Sequence, residues 1–272
     1  MNRRLVIVKN TFLELTFGGN SYHWILNLFS PKCNVLARKM IINIKKNGYF
    51  NVIYLKGIST PIYLLDKIPI HSIYQVVAEQ FYKWHWHNYQ IPQTLVEKDD
   101  IVFDCGSAEG IFPLIIHNQC KKVYAFEPLE DYQKGFYKTF SSINNVHLVK
   151  EALGNMIGLI GFVQSGIQSS ISNVISDNSV PINTIDNFCA INSCEVNYIK
   201  ADIEGHELEL LKGAKESIIK CKPKIAITVY HKENNYKEII NFLKNIVPEY
   251  NFKIKGISDL KYHPVMLHAW VL

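Results

Sequence analysis

The sequence lacks several features that would assign it to a protein class at once. No apolar run approaches the ~18–20 residues of a membrane-spanning helix, and there is no internal repeat and no low-complexity stretch. The N-terminal segment 1–8 has two arginines but too few apolar residues for a signal peptide. We therefore expect neither a membrane span nor a secretion signal.

Cysteine motifs are missing as well. The six cysteines, at positions 33, 105, 120, 189, 194 and 221, include no Cys-x-x-Cys pair. Their spacing therefore indicates neither a zinc site nor a redox motif. Free thiols are usual in a reducing compartment, so we expect a cytoplasmic protein.

Charge of one sign is not concentrated anywhere. The 29 Lys and Arg residues and the 24 Asp and Glu residues are spread along the chain and leave a net charge of +5. Nucleic-acid-binding proteins usually concentrate positive charge, so we expect no such partner. The apolar fraction of 48% indicates a globular protein with a sizeable core, built as one large domain or as a domain with an appendage.

Residues 1–70 contain no chemical motif, but their composition predicts a β-rich N-terminal section. Short runs rich in Ile, Val, Tyr and Phe are separated by turn signals such as Gly-Gly-Asn and Lys-Asn-Gly. The runs cover residues 5–8, 12–17, 35–44, 49–54 and 61–65, with one candidate helix at 22–29. This section either caps the sheet of the main domain or forms one wall of a substrate site.

Residues 71–272 are predicted to form an α/β domain. A leading helix is expected at 71–90, where apolar residues recur at helical spacing and the end is rich in Trp and His. From residue 92 strands and helices alternate, which implies a mostly parallel sheet with helices on both faces. The expected strands are 101–105, 123–126, 146–149, 196–201 and 225–230, the helices are 111–118, 131–141, 204–220 and 235–246, a hairpin is placed within 156–177, and an antiparallel pair, 250–254 with 265–272, closes the chain.

The first of these strands runs into a glycine-containing turn, from Asp104 to Gly110, and then into a helix. Ligands bind at such turns because backbone N–H groups and the helix dipole point outward there. The Gly-x-Gly-x-x-Gly pattern of dinucleotide-binding folds is absent, and Asp104 at the strand end would repel a pyrophosphate. A carboxylate suits a cationic ligand with hydrogen-bond donors, such as S-adenosylmethionine. Gly106 would let the backbone approach the ligand, and Gly110 would let the helix pack close to it.

The next two strands also end in polar residues. Glu127 and Pro128 follow the second strand, where a carboxylate can accept hydrogen bonds from both hydroxyls of an adenosine ribose. NAD enzymes use the same arrangement, so Glu127 alone does not distinguish the two cofactors. Glu151 and Ala152 follow the third strand, where they would bracket an adenine base.

A third group of polar residues stands where the strand at 196–201 passes into a helix. Asp202, Glu204 and His206 could all face the crevice at the carboxyl edge of the sheet. Carboxylates in a first helical turn are also ordinary partners of the helix dipole, and that interpretation suits Glu207 best.

Taken in order, these motifs resemble the FkbM family of S-adenosylmethionine-dependent methyltransferases. The matching stretches are FDCGSAEG at 103–110, AFEP at 125–128, ALG at 152–154, TID at 184–186, IKADIEGHE at 199–207, LKGA at 211–214 and PKIAITVYHK at 223–232. The resemblance covers roughly residues 95–272 and implies a Rossmann-like class I methyltransferase sheet. Cys105, Ser107 and Glu109 replace more usual residues of the first turn and are expected to preserve cofactor binding. His206 replaces a small or apolar residue.

The resemblance implies O-methylation of a hydroxyl on a sugar, a polysaccharide or a secondary metabolite, with S-adenosylmethionine as the cofactor. The acceptor hydroxyl must lose a proton, and His is the side chain best matched to that task at neutral pH. The candidate bases are His231 and His206, and Asp202 or Glu204 would orient the histidine or take the proton directly. No metal is required. The alternatives are a catalytically silent cofactor-binding protein and an NAD-dependent sugar oxidoreductase.

Overall fold

The computed structural model describes residues 31–165, 168–172, 179–233, 235–257 and 264–272. The helices are α1 Cys33–Met40, α2 Ile70–Phe81, α3 Ile111–Ile116, α4 Glu130–Thr139, α5 Ile185–Asn192, α6 Glu207–Lys212, α7 Lys215–Cys221 and α8 Asn235–Ile246. The strands are β1 Ile41–Asn47, β2 Phe50–Leu55, β3 Ile62–Leu65, β4 Ile101–Cys105, β5 Lys122–Phe126, β6 Val146–Val149, β7 Ala152–Leu153, β8 Gly158–Ser165, β9 Gln168–Ser172, β10 Ser179–Asn183, β11 Tyr198–Ala201, β12 Lys224–Thr228, β13 Asn251–Ile257 and β14 Pro264–Trp270.

The central sheet has seven strands in the order β13-β14-β12-β11-β4-β5-β6. Neighbouring strands of this sheet pair in parallel, except that β14 runs antiparallel to both β12 and β13. The predicted mostly parallel sheet with an antiparallel last strand is confirmed. The strand order reverses between β4 and β11, and ligands bind in open α/β sheets at such a reversal.

Strands β11 and β12 carry the centre of the core. All four residues of β11 are buried, as are four of the five residues of β12, because helices cover both faces of the sheet. A smaller sheet, β7-β10-β8-β9, holds the antiparallel β8–β9 hairpin, so the hairpin expected within 156–177 is confirmed. The closing β13–β14 pair is confirmed too.

The described part of the N-terminal section is β-rich, as predicted, and lies against the main domain. Strands β1, β2 and β3 form an antiparallel sheet. Ile53 and Ile62 of this sheet share one apolar cluster with Val102 and Val123 of the central sheet. The backbone N–H of Tyr63 donates to Thr139 Oγ1 on α4 at 3.0 Å. The runs at 5–8 and 12–17 and the helix at 22–29 lie outside the described residues, and a boundary at residue 70 stays a prediction.

The run at 35–44 is a helix for most of its length, not the expected strand. Helix α1 extends to Met40, and β1 begins only at Ile41. Leu36 and Ala37 are buried, while the basic residues Arg38 and Lys39 of the last turn are exposed. One face of the segment therefore packs as a helix, which overrides the β propensity of its apolar residues.

The predicted helix at 71–90 ends at Phe81. Residues 82–90, called here the Trp–His loop, turn away because they are bound to the C-terminal strands. Lys255 Nζ donates to the carbonyl oxygens of Lys83 and Asn88, both at 2.8 Å. Trp86 packs so closely over Gly256 that any Cβ there would collide with its ring.

The predicted helix at 204–220 begins later and is two helices, α6 and α7. Gly213 stands at the break, where a Cβ would collide with the carbonyl oxygen of Gly154. The carboxylate of Asp186 then accepts hydrogen bonds from the backbone N–H groups of Glu216 and Ser217, at 3.0 and 2.8 Å. These bonds cap a new helix start, which hydrophobic periodicity alone does not reveal.

Within the described part of the chain, no helix combines the length and the apolar character needed to cross a membrane.

Candidate active site

The turn after β4 brings the ends of three strands together. Gly106 has φ +76°, and a Cβ there would collide with the carbonyl oxygen of Asp202 after β11. The backbone N–H groups of Gly106 and Ser107 donate to the carbonyl oxygen of Phe126, at 3.1 and 3.0 Å. Only glycine satisfies both the positive φ and this close approach.

A cavity open to solvent lies over these strand ends. Seven of the residues predicted from the sequence line it: Gly106, Glu127, Pro128, Glu151, Ala152, Asp202 and Glu204. The sequence did not indicate the remaining lining residues: Ala108, Phe126, Leu129, Tyr132, Leu153 and Ile203. The predicted strand ends therefore meet at one apolar cavity with acidic groups at its edges, which is typical of a small-molecule site.

Glu127 is held in a fixed position at the cavity. One carboxylate oxygen accepts from the backbone N–H of Ala108 and the other from that of Leu129, both at 2.9 Å. The side chain is buried, and this burial raises its pKa to about 7, although the two hydrogen bonds oppose the shift. Each carboxylate oxygen keeps a second lone pair for a ligand donor.

Asp104 lies beneath the cavity and does not line it. Its side chain is fully buried and pairs with Lys200 Nζ at 2.8 Å. Lys200 faces Asp104 in the register of β4 and β11, donates to the carbonyl oxygen of Gly106 at 2.5 Å, and lies 4.9 Å from the ring centroid of Tyr89. Burial lowers the pKa of Lys200, but the charges of Asp104 and Asp202 outweigh it and raise this pKa overall.

The other predicted residues of the first turn take different positions. Cys105 belongs to the apolar core, and Gly110 packs against Phe136 and Phe140, so it lets α3 approach α4 and not a ligand. Ser107 Oγ is a buried atom without a hydrogen-bond partner among the described residues. Glu109 is half-buried outside the cavity lining, and burial raises its pKa.

Beside the cavity, His231 sits among three carboxylates. Its Nδ1 lies 2.9 Å from Glu207 Oε1, and its Nε2 lies 3.2 Å from Glu204 Oε2 and 3.8 Å from Asp202 Oδ1. Burial disfavours the charged ring, but these carboxylates outweigh burial and raise the pKa of His231 to about 10. This shift favours the protonated imidazole over the neutral form that a base needs, and the role of His231 as the base stays a prediction.

Asp202 is ionised at the centre of this group. Tyr89 donates to its Oδ2 at 2.7 Å, and Thr228 Oγ1 donates to its Oδ1 at 3.2 Å. Burial would raise the pKa of Asp202, yet the positive charges of His231 and Lys200 hold it below its ordinary value. His206 is the N-cap residue of α6, lies outside the cavity lining, and is not part of the carboxylate group around His231.

Comparison with known proteins identifies the domain that carries this cavity. The model of the methyltransferase FkbM domain matches residues 104–254, more than half of the chain. The chain belongs to this family. A curated relative, the hexuronic acid methyltransferase AglP of Haloferax volcanii, is 34% identical over 122 residues, which are 43% of this chain. The match spans 51% of the length of that relative.

A solved structure supports the fold of this FkbM domain. The FkbM methyltransferase of Methylobacillus flagellatus superposes with a TM-score of 0.53 at 19% identity, over 76% of this chain and 56% of that one. At this identity the likeness shows a shared fold.

Two buried residues of the FkbM domain escaped the sequence analysis. The sequence pattern places Lys200 in a strand without indicating a role, although a lysine within an otherwise apolar strand is a signal that it has a buried partner. Glu207 was interpreted as a dipole partner, but it is fully buried and accepts from His231, the N–H of Gly205 and Asn235 Nδ2. It is the anchor that orients His231.

Proposed function

We propose that the chain is an S-adenosylmethionine-dependent O-methyltransferase that acts on a hydroxyl of a sugar or glycan. The proposal rests on one observation above all: an FkbM domain places Glu127, Asp202 and Glu204 around a single cavity at the sheet reversal. The name of the hexuronic acid methyltransferase relative supports a glycan acceptor, with uronic acids as the first class to test. The cytoplasmic location and the absence of a nucleic-acid partner stay expectations.

The residues present fit the cofactor. Gly106 lines the cavity, and Ser107 Oγ is a buried hydroxyl whose hydrogen-bonding capacity is unused among the described residues. Glu127 would accept from the ribose hydroxyls, and Glu151 and Ala152 would flank the adenine. When bound, S-adenosylmethionine supplies an electrophilic methyl group on a positively charged sulfur. The four carboxylates of Asp104, Asp202, Glu204 and Glu207 outnumber two cations, Lys200 and His231. The site is therefore negative, which suits the positively charged sulfur of the cofactor.

Glu204 is the proposed acceptor of the hydroxyl proton. It lines the cavity, keeps 34% of its side chain exposed, and is oriented by His231 Nε2. Its backbone has φ +55°, a conformation that non-glycine residues rarely adopt and that recurs at functional sites. His231 carries its own proton and acts as a positioning residue, and it stabilises the charge on Glu204 until the acceptor binds.

The cofactor part is tested by calorimetry with S-adenosylhomocysteine and, separately, with NAD. We expect binding of the first and none of the second, and the reverse result would favour the sugar oxidoreductase. Mass spectrometry of a panel of uronic-acid and neutral glycans then tests transfer, with a gain of one CH₂ as the expected product. Binding without any transfer across the panel would favour a catalytically silent protein.

The base assignment is tested with Glu204→Gln. Loss of a general base lowers kcat by about 100-fold or more, and we expect a much smaller change in S-adenosylhomocysteine affinity. Glu233→Gln, an exposed neighbour, is the matched control and should leave kcat unchanged. If the Glu204→Gln variant kept its activity, another group at the cavity would have to act as the base.

A further inference from the structure

A second group of metal-type ligands lies next to the proposed active site. Glu79 on α2 and His85 and His87 in the Trp–His loop each offer a ligand atom, and these atoms lie within 4.8 Å of one another. Cys33 on α1 contacts one member of this group, with its Sγ 4.0 Å from His85 Nε2. Two imidazoles, a carboxylate and a thiol are the donors that zinc prefers in proteins.

The spacing of these atoms suits a shared ion better than direct hydrogen bonds. His87 Nδ1 is buried and lies 3.5 Å from Glu79 Oε1, longer than an ordinary hydrogen bond. Ligand atoms of a tetrahedral zinc ion are about 3.4 Å apart for two nitrogens or oxygens and about 3.6 Å for nitrogen and sulfur. The observed separations are 3.5 Å for His87 Nδ1 and Glu79 Oε1 and 4.0 Å for Cys33 Sγ and His85 Nε2, close to those values.

The surroundings hold the ligands in place. Gln75 Nε2 donates to Glu79 Oε1 at 3.0 Å, which is the kind of outer contact that orients a metal-binding carboxylate. The Trp–His loop is held between its histidines by the packing of Trp86 on Gly256, and on either side of them by the hydrogen bonds of Lys255 to Lys83 and Asn88. The ligands thus come from α1, α2 and an anchored loop, and a bound ion would join all three.

The other candidate group, Asp202, Glu207 and His231, is a weaker metal site. His231 already carries a positive charge between the carboxylates, and both oxygens of Glu207 accept hydrogen bonds from the protein. At the Glu79 group the carboxylate lies 3.5 Å from the imidazole of His87, whose buried Nδ1 makes no hydrogen bond to the described residues, so an ion could be held between them.

We propose that Glu79, His85, His87 and Cys33 form a zinc-binding site that fixes the Trp–His loop near His231. The ring of His87 lies 5.3 Å from that of Tyr230, which lies 4.1 Å from that of His231, so the site adjoins the proposed catalytic group. Zinc here closes a structural site and is not required for methyl transfer as proposed above. The two proposals therefore succeed or fail separately.

The test begins with the full-length chain, stripped with a chelator, and titrated with zinc chloride by calorimetry. We expect binding of one ion per chain and a higher Tm on zinc addition. His87→Ala and His85→Ala should weaken zinc binding by about 100-fold or more, since loss of an outer-shell partner alone costs up to that much. His71→Ala, an exposed histidine of α2, is the matched control and should bind zinc like the parent.

Circular dichroism of each stripped variant establishes that it is folded before it is titrated. Absence of zinc binding by the parent chain, or equal binding by the folded His87→Ala variant, would overturn the site. Cobalt substitution tests the fourth ligand. The parent should show a sulfur-to-cobalt charge-transfer band that Cys33→Ser lacks, and an unchanged band would overturn the assignment of Cys33.

Discussion

Lys200 places a positive charge inside a strand whose four residues are all buried. Its ion pair with Asp104 joins β11 to β4 directly below the turn that carries Gly106. A buried ion pair contributes little relative to an apolar pair, but removal of one partner leaves an uncompensated buried charge. The pair therefore sets the position of the turn more than it sets the total stability.

We expect Lys200→Met to lower the free energy of unfolding by about 3–5 kcal/mol, because Asp104 then stays buried without its partner. The double variant Lys200→Met/Asp104→Asn should be destabilised by less than the sum of the single variants. Chemical denaturation measures all three. Asp66→Asn, which breaks the exposed ion pair with Lys46, is the control and should cost less than about 1 kcal/mol. Additive effects of the two buried variants would contradict the pairing.

In the function proposed above, Glu127 connects the electrostatics of the cavity to ligand binding. The pKa of Glu127 in the folded state is raised to about 7, so its carboxylate is only partly ionised at neutral pH. Ionisation supplies the acceptor lone pairs that ribose hydroxyls need. We expect the affinity for S-adenosylhomocysteine to rise as the pH increases through 7, and to be lower on the acid side.

Calorimetry at pH values well below and well above 7 measures this dependence. Glu127→Gln should bind more weakly and with a much flatter pH profile, since no titration remains at that position. Glu130→Gln, an exposed neighbour on α4, should retain the profile of the parent. If the pH profile of the parent were as flat as that of Glu127→Gln, Glu127 would not be a contact of the ligand.

The sequence located the acidic residues of the site better than it located their partners. Glu127 and Asp202 were placed at strand ends by local pattern, and they line one cavity in the structure. The partners of Asp104 and His231 depend on strand order and register, since Lys200 bonds to Gly106 from 94 residues away. No local periodicity contains that information, so the protonated state of His231 could not be foreseen either.

At the scale of elements, the break between α6 and α7 shows how tertiary contacts divide a continuous helical pattern. Gly213 touches the backbone of Gly154, which precedes the β8–β9 hairpin. At the break between α6 and α7, the chain therefore crosses the segment that contains Gly154, next to the cavity residues Glu151 and Leu153. The sequence predicted the helical segments and their amphipathic faces but not the crossing that separates them.

Gly213→Ala should destabilise the fold by about 1–3 kcal/mol, because the new methyl group collides with a carbonyl oxygen that cannot move freely. Its backbone φ is ordinary, at −76°, so the effect isolates packing from backbone strain. Thermal and urea unfolding measure it. Lys212→Ala, exposed at the adjacent position, should change stability by no more than about 0.5 kcal/mol. A Gly213→Ala protein as stable as the parent would contradict the close approach.

At the scale of the whole molecule, one buried lysine links the C-terminal strands to the Trp–His loop and, through Tyr89, to Asp202. Lys255 is 2% exposed and donates to two carbonyl oxygens of the loop at 2.8 Å. Burial lowers its pKa to about 7. Because the unfolded chain binds this proton more strongly, the contribution of Lys255 to stability rises as the pH increases above 7.

We expect Lys255→Met to leave these loop carbonyls unsatisfied and to loosen residues 82–90. Hydrogen exchange should speed up there, while β11 and β12 keep their protection. Lys253→Met, on the same strand, is the control and should leave exchange in the loop unchanged. If the loop of Lys255→Met exchanged at the parent rate, the anchor would have to lie elsewhere.

The fold of the main domain followed from the sequence because alternating strands and helices leave few arrangements open. The helix at 33–40 and the early end of α2 did not follow, since both depend on what the segments pack against. The part of the chain before residue 31 lies outside the described residues, and its role stays a prediction.

The reversal of strand order between β4 and β11 has a consequence for synthesis of the chain. Gly106 and Glu127 are made early, but Asp202, which completes the cavity, follows them by a long intervening segment. Closing so long a loop is slow, because the conformational entropy that the loop loses is compensated only when β11 pairs with β4. The complete cavity therefore forms only after β11 has left the ribosome, so the cofactor proposed above would bind the finished sheet and would not guide its first steps.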